Sequence, residues 1–252
     1  GIDKNGRDRT AVCCLSSLNL EKYDEWKDDK VMINDVMRFL DNVLTDFIER
    51  APEQFDDAKY SAEKERSVGL GVMGFHSYLQ QHSIPLESVM SKAWNKKIFK
   101  HIQEHVDQAS KDLADERGPC PDAADYGYNE RFSNKTAIAP TASISIICGG
   151  ASPGVEPVAA NSYTHKTLSG SFNVRNRYLV ELLEKHGKNT DDVWSEITTN
   201  QGSVSHLDFL TDLEKDVFKT AFELDQKWII ALSGDRTPYI SQAQSINLFV
   251  PA

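Results

Sequence analysis

The chain has 252 residues, of which 40% are hydrophobic and 26% are charged, a composition typical of a globular protein that buries a core. Asp and Glu number 38 against 28 Lys and Arg, and the net charge of −10 argues against nonspecific binding to nucleic acid or to an anionic membrane. No apolar run approaches the roughly 18 residues of a membrane span, and no secretory leader is recognisable. A local anion site made of backbone N–H groups remains compatible with this charge.

The predicted elements follow one another as alternating helices and strands. In chain order, apolar spacing and turn residues predict a helix over 31–51, a short strand within 67–75 with a helix from about 74 to 81, a helix over 91–117, a strand over 136–139, helices over 177–186, 190–199 and 213–232, and a strand over 245–250. No composition shift marks a linker. We therefore expect one α/β unit over residues 1–252, with a mainly parallel sheet or a partial barrel.

The cysteine count indicates a reducing, cytoplasmic compartment. The four cysteines are too few for a disulfide scaffold, and no Cys-x-x-Cys pair predicts a structural zinc site. Cys13 and Cys14 are adjacent, which makes a bridge between them strained. From the residues alone, a buried thiol is the favoured interpretation of this pair, and Cys120 and Cys148 stand in no recognisable redox motif.

The strongest local signal is the run of small and hydroxyl residues that follows the predicted strand over 136–139. Its members are Pro140, Thr141, Ala142, Ser143, Ile144 and Ser145. They open a predicted helix, and a helix N-terminus offers unpaired N–H groups and partial positive charge to an anion. This favours a phosphate site, whereas the alternative is an ordinary capped helix whose hydroxyls serve only the backbone.

Three other patterns suggest ligands less strongly. The glycines of GLGVMG over 69–74 match a dinucleotide fingerprint, but no suitably placed acidic residue follows, so close backbone packing is favoured. The run CGGASPGVEP over 148–157 lacks the Gly-Lys-Ser/Thr of a nucleotide-binding P-loop. His101 and His105 are spaced to clamp a metal on one helix face, but no carboxylate motif completes the site.

Five segments together carry a family resemblance. In order they read AVCCLSSLNL, ERSVGLGVMGF, IAPTASISIICGGASPGVEP, YTHKTLSGSF and DRTPYISQAQSINLF. They resemble the C-terminal part of the catalytic barrel of the ribonucleotide reductase large subunit, over essentially the whole chain. The resemblance implies a ten-stranded α/β barrel of two parallel halves around a finger loop, with this chain similar to the second half.

The resemblance also implies an activity, the reduction of ribonucleoside diphosphates, or of triphosphates in some members. In the family a cysteine thiyl radical takes the 3′ hydrogen, the 2′ hydroxyl leaves as water, and a cysteine pair supplies two electrons by closing a disulfide. Cys13 stands where the family's Ala-apolar-Cys-x-Leu motif has one member of that pair, and Cys14 is expected to pack. The Pro-Thr-Ala-Ser run resembles the substrate-phosphate loop, so residues 140–145 are expected to contact phosphate, mainly through backbone N–H. Ile144 stands where some relatives carry a hydroxyl, so it offers only its N–H.

Other features of the family are absent from the sequence, and their absence implies partners. The radical-site motif Asn-x-Cys-x-Glu is missing, and the redox partner of Cys13 is not identifiable. The resemblance therefore implies a chain that is inactive alone and needs the N-terminal portion of a large subunit. It further implies a homodimer of large subunits and an external dithiol reductant, thioredoxin or glutaredoxin.

No cofactor is expected on this chain itself. A metal-containing small subunit would supply the radical in class I, which the YTHKTLSGSF segment favours, and adenosylcobalamin would supply it in class II. A noncatalytic phosphate-binding module or scaffold is the alternative function. It explains the missing radical cysteine without a companion chain, but it leaves the cysteine motif beside the phosphate loop unexplained.

Overall fold

The structure, a computed structural model, describes residues 1–167 and 170–250. Its strands are β1 (Leu15–Asn19), β2 (Gly69–Met73), β3 (Ser162–Thr167) and β4 (Gly170–Arg175). Its helices are α1 (Tyr23–Trp26), α2 (Met32–Arg50), α3 (Asp56–Glu65), α4 (Phe75–Gln81), α5 (Val89–Arg117), α6 (Pro121–Ala124), α7 (Ala142–Ile147), α8 (Arg177–Lys185), α9 (Asp191–Thr199), α10 (Asp212–Val217) and α11 (Gln226–Arg236). Short 3₁₀ turns span Leu20–Lys22, Glu53–Phe55 and Thr237–Tyr239. None of the helices in this described part is long and apolar enough to cross a membrane.

Four extended segments run parallel to one another and form an open arc. β1 pairs with β2 along its whole length. A parallel bridge joins Leu70 of β2 to Thr136, and a second joins Ile138 to Gln244. The resulting order is β1, β2, residues 136–138 and residues 242–245. These parallel strands with surrounding helices confirm the predicted α/β class, because parallel neighbours need helical crossovers between them.

A glycine allows two neighbouring segments at the centre of the arc to pack closely. A Cβ placed on Gly71 would lie 2.2 Å from the carbonyl oxygen of Ala137 on the neighbouring segment. Any side chain there would push the two backbones apart. The glycines of GLGVMG therefore serve close packing, which is the interpretation favoured from the sequence.

The buried apolar side chains form two clusters. The larger one fills the space between the parallel arc and helices α2, α4 and α5, and includes Met37, Val72 and Ile98. The smaller one lies among α8, α9 and α10 and is centred on Leu183 and Trp194. The prediction of one unit over 1–252 stays a prediction, and its last two residues, with Leu168 and Ser169 of the YTHKTLSGSF segment, lie outside the described residues.

The long helices agree closely with the sequence prediction. α2, α4, α5, α8 and α9 begin and end within about two residues of the expected limits. Helix α5 begins at Val89 rather than residue 91, because the Ser88 hydroxyl caps it by accepting a hydrogen bond from the Ser91 N–H. Its end at Gly118, with φ of 86°, is the expected glycine stop.

The single helix predicted over 213–232 is wrong. The chain forms α10 and α11 instead, separated by residues 218–225. Thr211 and Glu214 make a reciprocal cap that starts α10, and Asp225 caps α11 separately. Between them the Ala221 N–H donates to the carbonyl of Val158, so a tertiary hydrogen bond replaces a helical one.

The strand predicted over 245–250 is also wrong in position. The parallel pairing lies at 242–245, where the Ser245 N–H donates to the Ile138 carbonyl. Further on, the Phe249 N–H donates to the Gln226 side chain rather than to a strand. The segment over 136–139 is confirmed as extended, although it pairs only through isolated bridges.

An antiparallel hairpin is present that the sequence did not predict. β3 pairs with β4 from Ser162 opposite Arg175 to Thr167 opposite Gly170. Its residues are mostly polar and β4 is largely exposed, so the hairpin carries little of the apolar alternation by which strands are recognised. The sheet content is therefore not purely parallel.

We expect one buried histidine to make the fold sensitive to acid. His76 of α4 is almost fully buried and accepts a hydrogen bond from the Val158 N–H at 3.0 Å. Burial lowers the pKa of His76 to about 4, from a usual 6.5. Between pH 6.5 and 4, His76 is therefore protonated in the unfolded chain but not in the folded chain. The free energy of unfolding falls as the pH is lowered towards 4, by up to about 3 kcal/mol.

The measurement is the free energy of unfolding in urea at pH 7, 6, 5 and 4. His76→Asn keeps an acceptor for the Val158 N–H but does not titrate, so its stability should change less over this interval than that of the unsubstituted chain. Equal pH slopes in the two proteins would show that another group causes the acid sensitivity.

Candidate active site

A pocket joins the first residues of β1 to the loop that precedes α7. Its volume is about 290 Å³, and its lining consists of Leu15, Ser16, Ser17, Ala139, Thr141, Ala142, Ser143 and Ile144. These two segments are more than 120 residues apart in the chain. The parallel arc brings them together, because β1 and residues 136–138 flank β2 on either side. This lining contains no lysine or arginine, so an anion here would be held by backbone and hydroxyl groups.

Three backbone N–H groups are available at this pocket. Within the described chain, the N–H groups of Ala142, Ser143 and Ile144 have no hydrogen-bond acceptor, whereas the next one, on Ser145, donates to the Thr141 carbonyl at 3.0 Å. The side chains of the first three residues are exposed. Small side chains at the first two positions leave the N–H groups accessible to a phosphate oxygen.

Thr141 has a structural role in addition to the one expected from the sequence. It is buried and has a left-handed backbone with φ of 53°, an uncommon conformation for a β-branched residue. Its hydroxyl oxygen accepts a hydrogen bond from the Gly154 N–H at 2.7 Å. Gly154 is itself left-handed, and a Cβ on it would lie 2.9 Å from the Ala139 carbonyl oxygen. Thr141 and Gly154 therefore fix the turn at which α7 begins, beside the pocket.

Ser145 is the least accessible of the predicted phosphate-binding residues. Its side chain is buried, and its hydroxyl donates to the Ala142 carbonyl at 3.3 Å. This hydroxyl serves the helix backbone, as in the capped-helix alternative. Pro140 is exposed at the start of the turn but does not line the pocket. Residues 141–144 line the pocket, and phosphate contact by residues 140–145 stays a prediction.

The two adjacent cysteines point in opposite directions. Cys14 is buried in the larger core, where its thiol lies 3.8 Å from the Leu40 carbonyl oxygen and burial raises its pKa. Cys13 is exposed. Cys13 lies two residues before β1 and is not itself among the residues that line the pocket. The residues that begin β1 directly after the cysteine pair do line it.

The glycine-rich segment over 148–157 is hydrogen-bonded to the start of α4. The hydroxyls of Ser77 and Ser152 each accept a hydrogen bond from the other residue's N–H, at 3.1 and 2.9 Å. The Gly74 N–H donates to the Ser152 carbonyl at 2.7 Å. These bonds occupy the N-terminus of α4 with protein groups, so the GLGVMG segment has no free N-terminus there for a dinucleotide.

The histidine pair is not arranged as a metal site. Nδ1 of His101 is hydrogen-bonded to the Tyr23 hydroxyl at 3.1 Å, and Nδ1 of His105 donates to the His101 carbonyl at 2.9 Å. One nitrogen of each ring is therefore engaged by a protein group. Among the described residues, no group of three or more His, Cys, Asp or Glu side chains could hold a metal ion.

Three residues of the pocket were not singled out from the sequence. Leu15, Ser16 and Ser17 follow the cysteine pair directly and form the wall opposite the loop. The available signal was their position directly after the cysteine pair. Only the tertiary pairing, in which β1 and residues 136–138 flank β2, shows that these residues meet the loop.

Comparison with known proteins identifies the family. The model of the ribonucleotide reductase barrel domain matches residues 2–130 and 121–252, which together cover nearly the whole chain. The chain belongs to the ribonucleotide reductase barrel family. This confirms the family that the five segments resembled and the interpretation of the fold as part of an α/β barrel.

Viral and bacterial reductase subunits are among the proteins similar to this barrel chain. It is 52% identical over 246 residues to the ribonucleoside-diphosphate reductase large subunit of Invertebrate iridescent virus 6, covering 96% of this chain and 25% of that protein. It is 46% identical over 244 residues to the large subunit of Invertebrate iridescent virus 3, covering 96% and 38%. The solved structure of the Actinobacillus ureae class Id ribonucleotide reductase alpha subunit matches with a TM-score of 0.88 and 41% identity, covering 96% of this chain and 44% of that one. The barrel chain thus spans between a quarter and a half of the length of these relatives.

Proposed function

We propose that this chain is part of a ribonucleoside-diphosphate reductase large subunit, to which it contributes a redox cysteine and the substrate-phosphate loop. The observation that carries the proposal is the pocket in which the strand following Cys13 faces three unpaired N–H groups. Membership of the barrel family supports the assignment, because the family places a reducing cysteine and a phosphate loop in these two motifs.

In the proposed reaction, Cys13 supplies one of two thiols. The substrate's 2′ hydroxyl leaves as water, and the two thiols lose two electrons and two protons as they form one disulfide. The second thiol and the cysteine that carries the thiyl radical belong to other parts of the enzyme. An external dithiol, thioredoxin or glutaredoxin, then reduces this disulfide and is itself oxidised to a disulfide.

The phosphate loop would orient the substrate. The N–H groups of Ala142, Ser143 and Ile144 would donate to the diphosphate, and the Thr141 hydroxyl retains a proton to donate while its oxygen accepts from Gly154. Holding one end of the nucleotide in this way limits where its ribose can lie. Because the anion is neutralised by N–H dipoles, the site needs no basic patch on an acidic chain.

The proposal also specifies partners. The N-terminal portion of the large subunit would cover the side of the arc beyond β1, and exposed Ile146 and Ile147 on α7 are apolar surface that such a partner would bury. Large subunits would form a homodimer in the cytoplasm, and a metal-containing small subunit would generate the radical. Adenosylcobalamin is the alternative generator, and the class Id relative makes the small subunit the favoured one.

Reconstitution tests the proposal directly. The chain is combined with the N-terminal portion of the subunit, the small subunit, a dithiol reductant and ribonucleoside diphosphate, and deoxynucleotide formation is measured. We expect product only when all the parts are present. Product that appears with adenosylcobalamin in place of the small subunit would assign the enzyme to class II. Absence of product under both conditions, with every part folded, would contradict the reductase assignment.

Ser143→Asp in the reconstituted enzyme is expected to weaken substrate binding. The new carboxylate would stand beside an exposed N–H of the loop and repel the substrate's diphosphate, so KM should rise roughly tenfold or more, equivalent to about 1.4 kcal/mol. Ser133→Asp is the matched control, since Ser133 is exposed and does not line the pocket. Equal KM values in the two variants would show that the loop is not part of the substrate site.

A noncatalytic phosphate-binding module is the second candidate function. The pocket favours it in one respect, since the three N–H groups are in place in this chain without any partner. Titration of the chain alone with ribonucleoside diphosphate separates the two. Binding at micromolar concentrations without a partner that Ser143→Asp abolishes supports the module, whereas Ser143-dependent binding that appears only in the reconstituted enzyme supports the reductase.

A further inference from the structure

A second concave site lies apart from the phosphate-loop pocket. It has a volume of about 430 Å³ and is lined by Tyr23, Lys27, Asp28, Lys30, Lys97, His101 and His105. This volume lies in the range of roughly 300–1,000 Å³ in which proteins hold small molecules. No residue is shared with the pocket beside residues 141–144, so the two sites are distinct.

One wall of this second site is a column of basic residues on helix α5. Lys97, His101 and His105 follow one another at intervals of four, which places them on one helix face. The opposite wall is the end of α1 and the following turn, with Lys27 and Lys30. The site therefore collects basic side chains from two separate segments.

The lining is positive although the chain is acidic. Three ammonium groups against the single carboxylate of Asp28 leave the lining formally positive by two charges, in a chain of net charge −10. Lys27 is already bonded to Asp24 at 2.5 Å. The positive charge available to a ligand therefore comes mainly from Lys30 and Lys97.

Lys30 and Lys97 have no ion-pair partner in the described part of the chain. Three neighbouring lysines of the same helix are paired, Lys92 and Lys96 with Asp235 and Lys100 with Glu104. The ammonium of Lys97 instead lies 4.5 Å from the centre of the Trp94 ring, a contact that holds it in place without neutralising it.

The two histidines have different roles in this site. Burial, together with Asp24 and Asp28, raises the pKa of Tyr23 to about 12, and its hydroxyl is hydrogen-bonded to Nδ1 of His101 at 3.1 Å. His101 therefore forms part of the floor. His105 donates from Nδ1 to the His101 carbonyl at 2.9 Å, so this ring nitrogen is occupied by the helix backbone.

We propose that this second site binds an oligophosphate anion through the ammonium groups of Lys30 and Lys97. Ammonium groups bind phosphate as point charges, and several of them around one cavity suit a ligand with more than one anionic group. Free oligophosphate and the phosphate tail of a nucleotide share this chemistry.

The test is calorimetric titration of the 252-residue chain with inorganic triphosphate and, separately, with ATP at low ionic strength. We expect triphosphate to bind, and the double substitution Lys30→Gln and Lys97→Gln to weaken its affinity at least tenfold. The matched control replaces Lys59 and Lys111, which removes the same charge. Lys111 is exposed on the same helix, about 21 Å beyond Lys97, and its loss should leave the affinity unchanged.

Two further comparisons show which of the two sites binds the ligand and whether its natural source is a nucleotide. Ser143→Asp should not alter the part of the triphosphate binding that the Lys30→Gln and Lys97→Gln substitutions remove, which separates this site from the phosphate loop. Equal affinities for triphosphate and ATP would indicate recognition of the phosphate groups alone, and tighter binding of ATP would indicate that a nucleotide is the natural source. Failure of both ligands to bind, or equal weakening by the two double substitutions, would overturn the proposal.

Discussion

Cys13→Ser in the reconstituted reductase is expected to lower multiple turnover by on the order of a thousandfold or more, as loss of a covalently acting group does in other enzymes. A serine hydroxyl has nearly the shape of the thiol but forms no disulfide, so the two electrons for substrate reduction have no source. Because Cys13 is exposed and outside the core, the change should leave folding intact. The measurements are deoxynucleotide formation with excess dithiol and, in parallel, circular dichroism.

Cys148→Ser is the matched control for this prediction. Cys148 is also an exposed cysteine, but it follows α7 and stands in no redox motif. Its replacement should leave turnover within about twofold of the unsubstituted enzyme, since exposed substitutions away from special features change little. If Cys13→Ser retained full turnover, or if both variants lost it equally, Cys13 would not be the electron donor.

Local patterns predicted most of the helices well, because the apolar spacing and the capping residues that define a helix lie within or next to its own sequence. In α2 the apolar residues recur at helical spacing, and in α5 a capping serine and a terminal glycine mark the ends. The same reasoning failed between Val217 and Gln226. Apolar residues continue there at helical spacing, but a hydrogen bond from Ala221 to Val158 and a cap at Asp225 interrupt the helix. These contacts are tertiary and leave no local signal.

The candidate site was predictable in its parts but not in its geometry. The phosphate loop is visible as small residues after a strand, and the Cys13 motif is visible through the family resemblance. Two details required coordinates. The Thr141 hydroxyl is turned to Gly154 because the backbone of Thr141 is left-handed, and the wall of Leu15 and Ser17 faces the loop because β1 and residues 136–138 flank β2 on either side.

A cluster of three arginines around one buried aspartate holds the helices on the larger core. Asp41 of α2 is fully buried and accepts hydrogen bonds from Arg66 at 2.8 Å, Arg131 at 2.9 Å and Arg117 at 2.8 Å. Arg66 follows α3, Arg117 ends α5, and Arg131 lies in the segment leading to the arc. One carboxylate thus connects four parts of the chain.

Asp41→Asn is expected to destabilise the fold by about 3–5 kcal/mol, because it leaves three guanidinium groups close together without their counter-charge. That is a large share of the roughly 5–15 kcal/mol that a protein domain has in total. The measurement is the free energy of unfolding in urea at pH 7. Asp46→Asn is the control on the same helix, because Asp46 forms an exposed pair with Arg50 and its loss should change stability by less than about 0.5 kcal/mol.

The pH dependence provides an independent check on this cluster. Burial alone would raise the pKa of Asp41, but the hydrogen bond from Arg131, the charge of Arg66 and the hydrogen bond from Arg117 outweigh it, so the pKa lies below the usual 3.8. The stabilisation is therefore complete above pH 3.8 and is lost as the pH falls through the lowered pKa. This interval lies below the one in which His76 acts, between pH 6.5 and 4, so the two groups are separable in one titration. If Asp41→Asn were as stable as Asp46→Asn at pH 7, the arginine cluster would not be what holds α2 against α5.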